Sequence, residues 1–149
     1  MALWDWAVGA YARPGVSQAC LRLQDEFGQN VSFLLWAAWA RPQDPQLLAR
    51  GAAVARAWEE AVLQPLRASR RALKPARPPV ADAARERLRE EVKAAELHAE
   101  RILTETLETV GAAPRGAGSA ADALAAASRA WGGAPPPLQA LAALAEALA

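Results

Sequence analysis

Between Leu21 and Ala40, LRLQDEFGQNVSFLLWAAWA, a seven-residue polar island from Gln24 to Asn30 separates two apolar runs. Helical periodicity divides that island into parts. Val16, Cys20, Leu23 and Phe27 recur at steps of four and three, one apolar stripe, which turns Gln18, Arg22, Asp25, Glu26 and Gln29 mostly outward. Ser17 stands where it can cap this helix, Gly28 suits a left-handed stop, and Asn30 can accept bonds from the free N–H groups of the next helix. Upstream, residues 2–12 predict a first helix with Trp4, Val8 and Tyr11 on one stripe, ended by Arg13, Pro14 and Gly15. Downstream, residues 31–40 are apolar nearly all round, the pattern of a central buried helix.

A longer periodicity follows. From about Asp44 to Lys74, Leu48, Ala55, Trp58, Val62, Leu66 and Leu73 form a core stripe, interrupted by Pro65, which has no N–H and frees the carbonyl of Ala61, so a kink is expected there. The proline-rich turn at 74–82 ends in Asp82, placed to cap a second long helix running to about Val110. Its stripe is Leu88, Val92, Ala95, Ala99, Ile102 and Thr106. At 1.5 Å per residue each rod spans roughly 40 to 45 Å. The predicted fold is all-α: an antiparallel helix hairpin, about 45–74 and 82–110, covered by three short N-terminal helices as one bundle domain over 1–110. Residues 111–149 are rich in Ala, Gly and Pro and read as a mobile linker around a weak helix at 119–130. A last helix carries Leu138, Leu141, Leu144 and Leu148 on one face, free to dock on the bundle or on a partner.

Composition narrows the chemistry. Seventeen basic residues balance sixteen acidic ones among 149 residues, so no overall field steers polyanions. A single cysteine, Cys20, excludes an internal disulfide and fits a cytoplasmic protein with a buried thiol. Asp5 interrupts the would-be apolar N-terminal segment and no basic region precedes it, against a signal peptide. No uninterrupted apolar window is long enough to span a bilayer. The lone His98 follows Glu96 by two residues, the wrong spacing for a helical di-iron motif, and no phosphate loop is present; no metal, cofactor or catalytic residue is assigned.

Arg67, Arg70, Arg71, Lys74 and Arg77 form an acid-free basic run, with Arg67, Arg71 and Lys74 on one stripe and Arg70 toward the core edge. Glu86, Glu90, Glu91, Glu96 and Glu100 of the second rod are available as neutralising partners. Of six tryptophans, Trp36, Trp39 and Trp58 lie on core stripes, whereas Trp6 lies off its helix's stripe and is expected to be an exposed anchor.

The strings LWDWAVGAYARPGVSQACLRLQDEFGQNVSFLLWAAWA, AVLQPLRASRRALK and VKAAELHAERILTETL, over Leu3 to Leu107, resemble the bacterial family known as domain of unknown function 2390. The resemblance implies a shared fold and no established activity. Its pattern picks out Trp4, Tyr11, Gln24, Asp25, Gly28, Asn30, Pro65, Arg67, Arg70, Arg71, Lys74, Glu96 and Glu100 among others. This chain departs from it at Gln29, where the family commonly has Asp, and at Ser32, where it has Asn.

Three functions follow as expectations. The first is a non-enzymatic adaptor engaging another protein through Trp6, Arg71, Lys74 and Arg77. The second is a small-molecule binder or undetected enzyme with a polar pocket between the short helices and the kinked rod, built from Gln24, Asp25, Arg67, Arg70, Arg71 and Glu96. A structural ion-pair network holding the second helix to the long pair accounts for the same residues, and that role takes precedence over the pocket. The third and least favoured is nucleic-acid binding through 67–77. Asp25 is expected to pair with an arginine of that run.

Overall fold

Glycine and asparagine corners cut the N-terminal third into three helices. The computed structural model describes residues 1–111 and 116–149. Helix α1 (Leu3–Tyr11) turns through 13–15 into α2 (Val16–Phe27), whose entry is made by Gly15 and not by the expected Ser17 cap. The Pro14–Gly15 turn closes with a Val16 N–H to Arg13 carbonyl bond, so the helix starts before Ser17. Gly28, at φ 61°, ends α2 in the left-handed region that glycine enters without cost. Asn30 then caps α3 (Val31–Ala40), its Oδ1 accepting from Phe33 N–H at 2.8 Å.

α3 is the centre of the molecule. Phe33, Leu34, Trp36 and Ala37 are fully buried, and neighbours from α1, α2 and the segments that follow surround it. The Trp36 ring lies so close to Gly51 and Gly111 that a Cβ on either would approach it to 2.7 and 2.8 Å, which only glycine avoids.

The expected face of α1 is not the buried one. Leu3, Ala7 and Ala10 face inward with Trp6 packed against the core, while Val8 and Tyr11 are 53% and 39% exposed. The small Ala side chains let the backbone lie close. Trp4 stays half-buried, with the Arg101 guanidinium 5.6 Å from its ring. Trp6 is therefore not the exposed anchor its spacing predicted.

The stretch expected as one rod kinked at Pro65 is three pieces: α4 (Pro45–Trp58), a π-helical turn (Glu59–Leu63) and α5 (Gln64–Ala72). Asp44 caps the start by accepting from Gln46 N–H. Because Pro65 cannot donate, the preceding turn widens, and Gln64 N–H bonds the carbonyl of Glu59, five residues back. The extra residue rotates everything beyond it. Ala55, Glu59, Leu63 and Arg67, at steps of four, become the buried series, and the expected Trp58, Val62 and Leu66 are only half-buried.

Helix α6 (Asp82–Val110) packs along these three pieces in the opposite sense: Arg85 donates to the carbonyls of Leu73 and Lys74, and Trp58 Nε1 to that of Ala99 at 2.9 Å. Asp82 is the first helical residue, not the cap, and Ala81 precedes the helix without a side-chain bond. The inward face is rotated here too. Arg85, Glu96, Ala99, Leu103, Thr104 and Leu107 are buried, whereas Leu88 and Ile102 are 48% and 38% exposed. Glu96 turns in because the facing helix presents Arg67 and Arg70, and Arg85 because the end of α5 presents the carbonyls of Leu73 and Lys74.

Helix α7 (Ala120–Trp131) lies on α3 and α4, and α8 (Leu138–Leu148) on α2 and α7. Leu124, Ala127 and Trp131 are buried from α7, Ala140, Leu141 and Leu144 from α8; Leu138, expected on that face, is 77% exposed. Trp131 packs tilted against Phe33, ring centroids 5.9 Å apart, and donates from Nε1 to the carbonyl of Gly28 at 2.9 Å, closing the α2–α3 corner. The expected linker falls partly on 112–115, outside the described residues. Among the described residues there is no strand, and no helix is long and apolar enough to cross a membrane.

Candidate functional site

The rotation at the π turn brings four charged groups together in the interior. Glu59 receives Arg67 Nη1 on Oε1 at 2.5 Å and Asn30 Nδ2 on Oε2 at 3.2 Å. Arg67 Nε faces Glu96 Oε1 at 3.7 Å, and Glu96 in turn takes a fork from Arg70: Nε to Oε2 at 2.6 Å and Nη2 to Oε1 at 3.4 Å. The result is a continuous seam, Asn30–Glu59–Arg67–Glu96–Arg70, across the start of α3, the π turn, α5 and α6. Glu59, Arg67 and Glu96 are all below a tenth exposed. Two carboxylates face two guanidinia, the pairing that buried charges require. Asn30 has two tasks, since its oxygen caps α3 while its amide ends the seam.

Glu100 lies one turn beyond Glu96 on α6 and has no ion-pair partner within 4 Å among the described residues. Burial first, then the charge of Glu96, push its carboxyl from an ordinary 4.5 up to about 7, with Arg67 and Arg70 pulling the other way. The hydrogen bond to Glu96 raises the Arg70 pKa, so that guanidinium stays charged. Tyr11, on α1, is raised to about 12 by its partial burial and then by Cys20, Glu100 and Asp25. Burial raises the Cys20 thiol to about 12, leaving it inert as a nucleophile.

On the α2 side the seam opens into a cavity of about 280 Å³. Gln24, Asp25 and Gly28 form one wall; Glu59, Gln64, Arg67 and Arg71 form the other. Asp25 meets Arg71 across it, Oδ1 to Nη2 at 3.5 Å, both side chains more than half exposed, and Gln24 Nε2 donates to the same carboxylate oxygen at 3.3 Å. Asp25 pairs with neither Arg67 nor Arg70. The six residues expected to converge therefore divide: Arg67, Arg70 and Glu96 lie in the buried seam, Gln24, Asp25 and Arg71 around the cavity mouth, and Arg67 belongs to both.

Sequence reasoning missed Glu59. The available signal was the series Glu59, Leu63, Arg67 at steps of four across Pro65, which is inward only if the turn is widened. It also placed Gln29 outward, yet that side chain is 1% exposed, because Gly28 reverses the chain and folds the next residue under α2. The basic stripe is broken as well: Arg67 is buried, leaving Arg71, Lys74 and Arg77 outside. Of the five glutamates offered as its neutralising partners, Glu96 alone pairs with the run. No cluster of three or more His, Cys, Asp or Glu among the described residues is arranged to hold a metal ion.

A family model described as protein of unknown function, DUF2390, matches residues 2–107. The chain belongs to that family. No curated protein and no solved structure matches it. Every member of the seam, and both walls of the cavity, lie within the stretch that the DUF2390 model covers; α7 and α8, including Trp131, lie beyond it.

Proposed function

We propose that this DUF2390 protein binds a small polar molecule in the cavity between the end of α2 and the π turn with α5. One observation carries the reading: Glu59 and Arg67, 5% and 6% exposed and fixed by their buried partners, form part of the wall of an open cavity. Buried charges held rigidly at the edge of a cleft are the preorganised polar groups that small-ligand sites use. The π turn that places them is an irregularity found frequently at functional sites. No nucleophile paired with a base faces the cavity, so binding without chemistry is the form of the proposal. Within this reading the chain is cytoplasmic, its one thiol buried and unpaired.

The test is a panel of single compounds, comprising the L-amino acids, glucose, adenosine and inorganic phosphate, followed by amide NMR shifts of the full chain. At least one compound is expected to move Gln24, Gly28 and Gln64 and to raise the melting temperature. A panel that leaves these amides unmoved refutes the reading.

A second reading, an adaptor for another protein, rests on the exposed Lys74 and Arg77, which have no carboxylate partner among the described residues. Trp6 no longer supports it, being packed against the core, and neither do α7 and α8, whose apolar faces, Leu138 apart, are covered by the bundle. Co-purification at physiological salt that depends on Lys74 and Arg77 would favour it.

A further inference from the structure

The charges around the cavity are not all available to a ligand. Both oxygens of Glu59 are occupied, one by Arg67 and one by Asn30. Arg67 spends Nη1 on Glu59 and directs Nε toward Glu96, while its Nη2 donates to no protein acceptor and is not among the atoms sealed from solvent. Arg71, one helical turn further along α5, is held only by the loose 3.5 Å approach of Asp25. On the opposite wall, Asp25 receives that approach and one amide bond from Gln24, which leaves its second oxygen open.

The unsatisfied groups are therefore segregated by sign. The α5 wall offers guanidinium N–H groups from Arg67 and Arg71, one helical turn apart on the same face. The α2 wall offers a carboxylate oxygen from Asp25. Asp25 and Glu59 against Arg67 and Arg71 sum to zero charge, so a dianion would enter without net attraction and against two carboxylates. A molecule with one carboxylate and one ammonium replaces the weak Arg71–Asp25 pair with two charge-assisted contacts. About 280 Å³ is at the small end of ligand pockets and suits a molecule of amino-acid size.

We propose that the cavity takes a small zwitterion of the free amino-acid class, its carboxylate on Arg67 and Arg71 and its ammonium on Asp25. This rests on the small-ligand reading above and specifies its ligand.

The experiment is calorimetric titration of the full chain with each L-amino acid. The best binder is then compared with its methyl ester, which lacks the carboxylate, and its N-acetyl form, which lacks the ammonium. Either blocked form is expected to bind at least about tenfold more weakly, as expected for losing one charge-assisted hydrogen bond. Arg71→Gln and Asp25→Asn alter exposed side chains, so each is expected to weaken binding about tenfold with an unchanged melting temperature. Equal binding of a blocked form, or phosphate binding as tightly as any amino acid, overturns the zwitterion. Glucose, adenosine or phosphate shifting the cavity amides while no amino acid does so overturns the zwitterion and leaves the small-ligand reading standing. Silence of the entire panel overturns both.

Discussion

Two halves of the interior solve the packing problem by opposite means. Around Trp36 the fit is steric: an indole lies between Gly51 and Gly111 and against Phe33, whose ring centroid is 5.8 Å away. Around Glu59 the fit is electrostatic, with two carboxylates and two guanidinia joined in a seam capped by an asparagine. The steric half is filled on every side, so added volume clashes and lost volume leaves a cavity. The electrostatic half is governed by charge more than by volume, because removing one partner strands a buried charge. A substitution's cost is therefore set more by which half it touches than by how many atoms it changes.

The largest effect is expected from Arg67→Met, which leaves Glu59 and part of Glu96 buried without a cation. A loss of about 3 to 5 kcal/mol in urea unfolding is the expectation. Combining it with Glu59→Leu should recover much of that loss, and a double variant no better than the single would show that the seam is not acting as an ion pair.

Gly51→Ala probes the other half. Its Cβ would lie 2.7 Å from the Trp36 ring, and overpacking of this kind costs about 1 to 3 kcal/mol, read by the same unfolding experiment. A neutral outcome would mean that the indole shifts freely, and the contrast between the halves would fail.

Glu100→Gln sharpens the electrostatic side by its pH dependence. The folded chain holds this proton more tightly than the unfolded one, so its contribution to stability is full below about pH 4.5 and declines as pH rises to about 7. Above that range the ionised carboxylate is a burden. Replacing it by Gln should raise stability by about 2 kcal/mol near pH 8, with the gain vanishing below about pH 4.5. A gain that is constant across pH would assign the effect to packing instead.

Asp25→Asn should change least. The pair with Arg71 is exposed and loose, so unfolding is expected to move by less than about 0.5 kcal/mol. A collapse of the fold would place Asp25 in the structural seam after all.

Particular residues show where sequence reading succeeds. The corner at Gly28 and Asn30 was legible because both act locally: a left-handed glycine stops one helix and an amide caps the next within three residues. The stripe Val16, Cys20, Leu23 was legible because α2 has a single apolar side facing the bundle. On α1 the same rule chose Trp4, Val8 and Tyr11 over Leu3, Ala7 and Ala10, since it ranks side chains by size while close helix contact favours small ones. On α6 it chose Leu88 and Ile102 over Arg85 and Glu96, because periodicity cannot see that a facing arginine makes a glutamate welcome inside. The candidate site was half legible: its arginines, Asp25 and Glu96 could be named, but Glu59 could not.

The sequence by itself determined the helical class, the corners between the short helices, the central burial of residues 31–40 and the membership of a DUF2390 chain, all properties written in local periodicity and motif order. Only the tertiary structure decided which faces turn inward and which charges meet. Pro65 announces that a hydrogen bond is lost, but whether the chain answers with a kink or a widened turn depends on what waits across the interface. Here Asn30 and Glu96 wait there, and the π turn swings Glu59 and Arg67 in to meet them.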